Sequence, residues 1–229
     1  MPRSFVGSAV ALFFVLLPGM ALAQEKYTLK ATELQPPEQL KPAIRELLDS
    51  KAVQVFDGKG QPYCAIWFRK VVPSKAAEEQ VKNGLTYREL PQTTVMGAIR
   101  FDKAAKDYRD QDVPAGVYTL RLAYQPQDGD HMGTAPYPEF CLLGSPDADT
   151  KPDLMEPKAL HDMSAKTLGG NHPGVLLLFP NPPSEMEPKL TDQGMGHWVV
   201  RQSLKVEAAG KQATMGIGLA VVGKSASAE

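Results

Sequence analysis

Tyr63-Cys64-Ala65-Ile66-Trp67-Phe68 follows Asp57-Gly58-Lys59-Gly60-Gln61-Pro62, and before that run of turn formers stands Ala52-Val53-Gln54-Val55-Phe56. Two apolar runs joined by a Gly- and Asp-rich connection read as a β-hairpin. Side chains alternate along a strand, so Cys64, Ile66 and Phe68 share one face and Ala65 and Trp67 the other. A strand apolar on both faces belongs in the middle of a sheet, covered on each side.

Working outward, Tyr27–Ala31, Leu85–Leu90, Thr93–Phe101, Gly116–Tyr124, Glu139–Leu143, Val175–Phe179, His197–Val206 and Ala213–Val222 add further strand-like runs, and Glu207–Lys211 closes a final hairpin. Helical spacing is thinner. It covers Pro37–Leu48, limited by Pro42, then Lys75–Lys82 with Ser74 as its cap, and Met155–Lys166 before Gly169-Gly170. Short strands separated by Gly, Pro and Asn turns, without regularly alternating helices, predict a mainly β fold. The expected architecture is an antiparallel β-sandwich, immunoglobulin-like or jelly-roll-like, with two or three short helices in its connections. The charged run Asp102–Pro114 reads as a linker.

The first 23 residues read as a cleaved export signal. Arg3 provides the basic start, Ala9–Leu17 the apolar run, Pro18-Gly19 the break, and Ala21-Leu22-Ala23 the small-x-small cleavage site. The apolar run is too short to span a bilayer, and cleavage after Ala23 predicts a periplasmic or secreted protein without a stable membrane anchor. Residues 24–222 then form a single sandwich domain, with 223–229 as a flexible tail. Near-neutral overall charge, −1 for the full chain, argues against a nucleic-acid partner.

Cys64 and Cys141 are the two cysteines, each in an apolar strand. In an oxidising compartment such a pair predicts a disulfide, which would contribute on the order of 4 kcal/mol by closing a long loop. The arrangement resembles the inter-sheet bridge of immunoglobulin-like domains, apart from the placement of tryptophan.

Sharp catalytic signatures are missing: the chain has no Walker loop, Gly-x-Ser-x-Gly elbow, His-Glu-x-x-His helix or EF-hand loop. What remains is a recurrence of histidine beside methionine. Three of the four histidines have it, in His131-Met132, His161-Asp162-Met163 and Met195-Gly196-His197, while His172 lies on a Gly-rich loop. Imidazole and thioether donors together suit copper, with sulfur favouring Cu(I). The alternative assigns Met163 to the core of its helix and leaves the histidines solvated or hydrogen-bonded. The loop Gln125–Pro136, with Asp128, Asp130 and His131, also has the materials of a binding site.

Val113-Pro114-Ala115-Gly116-Val117-Tyr118-Thr119-Leu120 resembles a Pro-Ala-Gly-x-Tyr-x-Leu strand opening found in exported bacterial β-sandwich domains of uncharacterised function, here followed by Gly129-Asp130-His131-Met132-Gly133. The resemblance implies the sandwich and the exported location, and brings no site residues. Three functions follow in order. The first is a binding or interaction module for a protein or small ligand. The second is a copper-binding protein using His131, Met132, His161, Met163, His172, Met195 and His197. The third is a hydrolase-type enzyme with a dispersed site.

Overall fold

The computed structural model describes residues 26–126, 134–182 and 187–226. The expected export signal lies outside them. The predicted hairpin is present as β2 (Lys51–Phe56) and β3 (Pro62–Phe68), paired antiparallel. Asp57 makes the turn: its Oδ1 accepts from the N–H of Lys59 and of Gln61, both at 2.9 Å, and Lys103 Nζ donates to Oδ2 at 2.6 Å.

These bonds to the ionised carboxylate, that from Lys103 foremost, hold the Asp57 pKa down at about 2. The depressed value means that this carboxylate stabilises the fold above the usual Asp range, and its contribution is lost as pH falls toward 2. Asp57→Asn is therefore expected to be less stable than the parent at neutral pH, with the gap narrowing between about pH 4 and pH 2. Urea unfolding across that range checks it; a gap independent of pH would show that Asp57 acts only through shape.

β3 is central, as its two apolar faces require. The principal sheet runs β1 (Thr28–Glu33), β2, β3, β5 (Val95–Phe101), β8 (Gly116–Tyr124), β9 (Glu139–Gly144), β10 (Val175–Phe179), β13 (Lys211–Val222), β12 (Trp198–Ala208), β11 (Lys189–Asp192), with β4 (Val72–Pro73) parallel to β12. Every other pairing in it is antiparallel. The mainly antiparallel β expectation is thus met, while the strands join in one large curled sheet rather than in two separate ladders.

The pleat divides the apolar residues. Cys64, Ile66, Phe68, Leu120, Leu122, Cys141, Leu143, Leu176 and Leu178 line the concave side with Val200, Leu204, Met215 and Ile217 from the far arm. On the convex side, Ala65 and Trp67 pack under Leu40 and Leu48. A second convex cluster gathers Ala123, Phe140, Leu142, Val175, Leu177 and Phe179 under Leu160 and Met163 of α3 (Pro157–Thr167).

The disulfide is not formed. Cys64 and Cys141 are buried and unbonded. β5 and β8 lie between their strands, about 14 Å across the sheet, and the register sets Cys64 level with Gly116 of β8 but Cys141 level with Leu122, about 20 Å further along, so the pair is well beyond the reach of a disulfide. Burial pushes both thiols well above their ordinary pKa and keeps them as small apolar core groups.

Three local expectations also change. The run Pro37–Leu48 is helical only over α1 (Pro42–Arg45), because Pro42 starts a helix rather than continuing one. Leu85–Leu90 is not a strand: Thr86 and Glu89 cap a 3-10 turn over Tyr87–Glu89, with the Thr86 N–H donating to Glu89 Oε2 at 2.7 Å. The Lys75–Lys82 helix shortens to α2 (Glu78–Asn83), while Ser74 Oγ donates to the Glu89 carbonyl at 2.9 Å. No helix among the described residues is long and apolar enough to cross a membrane.

The run Asp102–Pro114 is no loose linker. It folds into the small hairpin β6 (Ala105–Lys106) and β7 (Asp112–Val113). Nor are Lys224 and Ser225, at the start of the expected tail, free. Lys224 Nζ reaches Asp110 Oδ2 at 2.7 Å, and the N–H of Ser225 donates to the Tyr108 carbonyl at 2.7 Å.

Candidate functional site

Outward-facing residues of β8, β9 and β10 form an apolar floor that α3 covers only in part. The uncovered remainder is a cleft of about 980 Å³, floored by Ala123, Phe140, Leu142, Leu160 and Val175 and flanked by Tyr108 and Tyr124. Its size matches the upper end of small-molecule sites. Arg109, Lys158, His161, Asp162 and His172 supply charged or polar groups around it.

The α3 wall is hung from a buried ion pair. Leu120-Arg121-Leu122 alternates, so Arg121 leaves the concave core and points outward. There its guanidinium meets Asp149 in a two-pronged pair, Nη2 to Oδ1 at 2.7 Å and Nε to Oδ2 at 2.8 Å. Nη1 donates to the carbonyls of Thr93 at 2.7 Å and Asp153 at 3.0 Å, and Nη2 also to that of Lys151. Thr119 Oγ1 donates to Asp149 at 2.6 Å. All five guanidinium N–H groups are used, which is the condition for burying such a charge.

Thr93 takes a positive φ of 71°, a conformation rare for a β-branched residue. In it, Oγ1 accepts from Met155 N–H at 3.0 Å and donates to the Met155 carbonyl at 3.1 Å. The chain entering α3 is thereby clamped on both sides. Further along α3, Ser164 Oγ accepts from Gly174 N–H at 3.1 Å.

The facing wall is the β6–β7 turn. Asp107 Oδ1 accepts from Arg109 N–H at 2.9 Å and Gln111 N–H at 2.8 Å; Oδ2 accepts from Gln111 Nε2 at 2.8 Å and Val175 N–H at 3.0 Å. Burial pushes this carboxyl's pKa up, while the same donors pull it back. Tyr108 N–H donates to the Val175 carbonyl at 2.8 Å. Tyr108 and Arg109 thus stand on a backbone fixed from the sheet and from the C-terminal segment. Burial raises the pKa of the Tyr108 phenol. It also carries that of Tyr124, whose hydroxyl donates to the Tyr87 carbonyl at 2.6 Å, to about 12, assisted by Glu139 and Glu89.

The expected histidine–methionine set is only partly gathered. His161 and His172 line this one cleft. Met163 packs in the apolar cluster beneath α3, as its core alternative required. Met195, 82 % exposed, stands at a positive φ of 51° between Gly194 and Gly196. His197 is buried at 9 % exposure, with its ring 5.9 Å from that of Tyr108 and 6.4 Å from that of Phe179, and its Nε2 has no hydrogen-bond partner in the structure. His131 and Met132, with Asp128 and Asp130, lie outside the described residues. Among the described residues, no three of His, Cys, Asp and Glu gather as metal ligands.

Tyr108, Arg109 and Tyr124 were missed by sequence reasoning. They come from separate segments without motif spacing, and the only signal was an arginine next to an aromatic residue in the most charged run. Comparison of the chain with family models, with curated proteins and with solved structures finds no match.

Proposed function

We propose that this chain is an exported binding module and that the cleft between α3 and the β6–β7 turn captures a small molecule through its apolar part. The observation that carries the reading is an apolar floor left uncovered between two walls that are each fixed by buried carboxylate bonds. Prefixed walls favour binding, since little freedom is lost when a ligand enters.

The neutral fluorescent probe N-phenyl-1-naphthylamine tests it. The wild-type protein is expected to bind the probe with enhanced emission. Ala123→Phe, which fills the floor, is expected to weaken binding about tenfold, equivalent to the loss of a few buried methylenes. Lys30→Gln on distant β1 should change nothing. Equal binding by the Ala123→Phe protein, shown folded by circular dichroism, would remove the cleft from consideration.

Copper binding is the second reading, and its support is that His161 and His172 line one cleft. A competition titration with Cu(I) decides it. Loss of tight binding in the His161→Ala/His172→Ala variant carries the reading, and unchanged binding ends it.

A further inference from the structure

We infer that the ligand of this cleft is an organic anion, with an apolar body on the floor and a carboxylate-type group at Arg109. The inference rests on the cleft being the binding site and adds the chemistry of what it takes.

The charges decide it. Lys158 Nζ lies 2.6 Å from Asp162 Oδ2, and that ammonium holds the Asp162 carboxyl below its ordinary pKa range, so the two cancel at the rim. The remaining formal charge among the described lining residues is Arg109, which is exposed and whose guanidinium makes no hydrogen bond or ion pair with any described residue. Other arginines are engaged by contrast: Arg121 uses every N–H, Arg69 donates to the Val71 carbonyl at 2.8 Å, Arg100 to Asp102 at 3.0 Å, and Arg201 to the Pro180 carbonyl at 2.8 Å, while Arg45 shares the unpaired state but lines no apolar cleft.

An unpaired arginine on an immobilised turn, beside apolar surface, matches a planar carboxylate. Its backbone is held by Asp107 on one side and by Val175 and Ser225 through Tyr108 on the other. The entropy of ordering the loop is therefore already spent before a ligand arrives. A neutral apolar ligand would leave the guanidinium unused, and a cation would be repelled by it.

Displacement of N-phenyl-1-naphthylamine by octanoate and by octanamide, which differ chiefly in charge, reads the anion preference directly. Wild-type protein is expected to bind octanoate about tenfold tighter, the contribution of one charged hydrogen-bonded contact. Arg109→Gln should bring octanoate down to the octanamide level without changing octanamide, while Arg109→Lys keeps part of the preference. Equal affinities in the wild type, or an octanoate preference that survives Arg109→Gln, overturn the anion inference and leave the cleft standing. If the probe binds but neither compound displaces it, the anion inference also fails. If the probe itself does not bind the wild type, the cleft reading falls with it.

Discussion

Asp149→Ala is expected to lower the free energy of unfolding by about 3–5 kcal/mol, because it leaves the buried Arg121 guanidinium without its counter-charge. Arg121 and Asp149 both have no exposed side-chain surface, so water cannot replace the lost partner. Removing both charges, as in Arg121→Met/Asp149→Leu, is expected to cost less than the single change, since apolar pairs often substitute for buried ion pairs. It should not return fully to the parent value. The carbonyls of Thr93, Lys151 and Asp153 lose their donor, and Thr93 then keeps its unfavourable backbone without the bond that stabilises it. Urea denaturation of the three proteins measures the set. A loss below about 1 kcal/mol for Asp149→Ala would mean that the segment before α3 rearranges to admit water.

Gly216→Ala is expected to be about as severe, at roughly 3 kcal/mol or more, for a reason of space alone. A Cβ at position 216 would stand 2.0 Å from the carbonyl oxygen of Asn181 and 2.8 Å from that of Pro182. That segment cannot retreat freely. Asn181 Nδ2 donates to the carbonyls of Gln202 and Ile217, both at 3.2 Å, and Arg201 Nη1 holds Pro180. Gly210→Ala is the comparison. Its φ of 72° disfavours a side chain, but a Cβ there meets nothing within 4 Å, so about 1 kcal/mol is expected. Thermal unfolding distinguishes steric exclusion at Gly216 from the backbone preference at Gly210; equal losses would refute the crowding argument.

Signals carried by neighbours in the chain were legible. The Asp57 turn, the strands on either side of it and the two-faced β3 follow from alternation and turn chemistry within some twenty residues. α3 follows from its Gly-Gly stop and apolar spacing. What failed depended on distant partners. Cys64 and Cys141 read as a bridging pair because both point inward, yet inwardness does not reveal how many strands separate them. Ser74 looked like a helix cap and serves Glu89 instead. Asp102–Pro114 looked loose because its tether, Asp107 to Val175, spans a gap that no local pattern bridges. Of the cleft, His161 and His172 were named for their nearness to methionine or glycine, a local pattern that does not reveal that the two line one cleft. A lone arginine inside Leu120-Arg121-Leu122 was a second overlooked signal, since a charge in a buried strand requires a buried partner.

β10 changes partner along its length. Val175–Leu177 pair with β9, whereas only Leu178 and Phe179 pair with β13. Along the strand order the two arms therefore meet through two residue pairs, beside the β4–β12 pairing and the concave core they share. Tyr87 stitches the junction: its hydroxyl donates to the Phe179 carbonyl at 2.8 Å and accepts from Gly218 N–H at 2.9 Å. Long ladders such as β12–β13 open only with the whole arm, but a two-residue ladder opens locally. The β10–β13 junction is thus the shortest ladder along the strand order of the principal sheet, and the cleft floor of β8–β10 lies on its N-terminal side. Amide exchange at Leu219 and Phe179 would report the parting of the arms before either arm unravels.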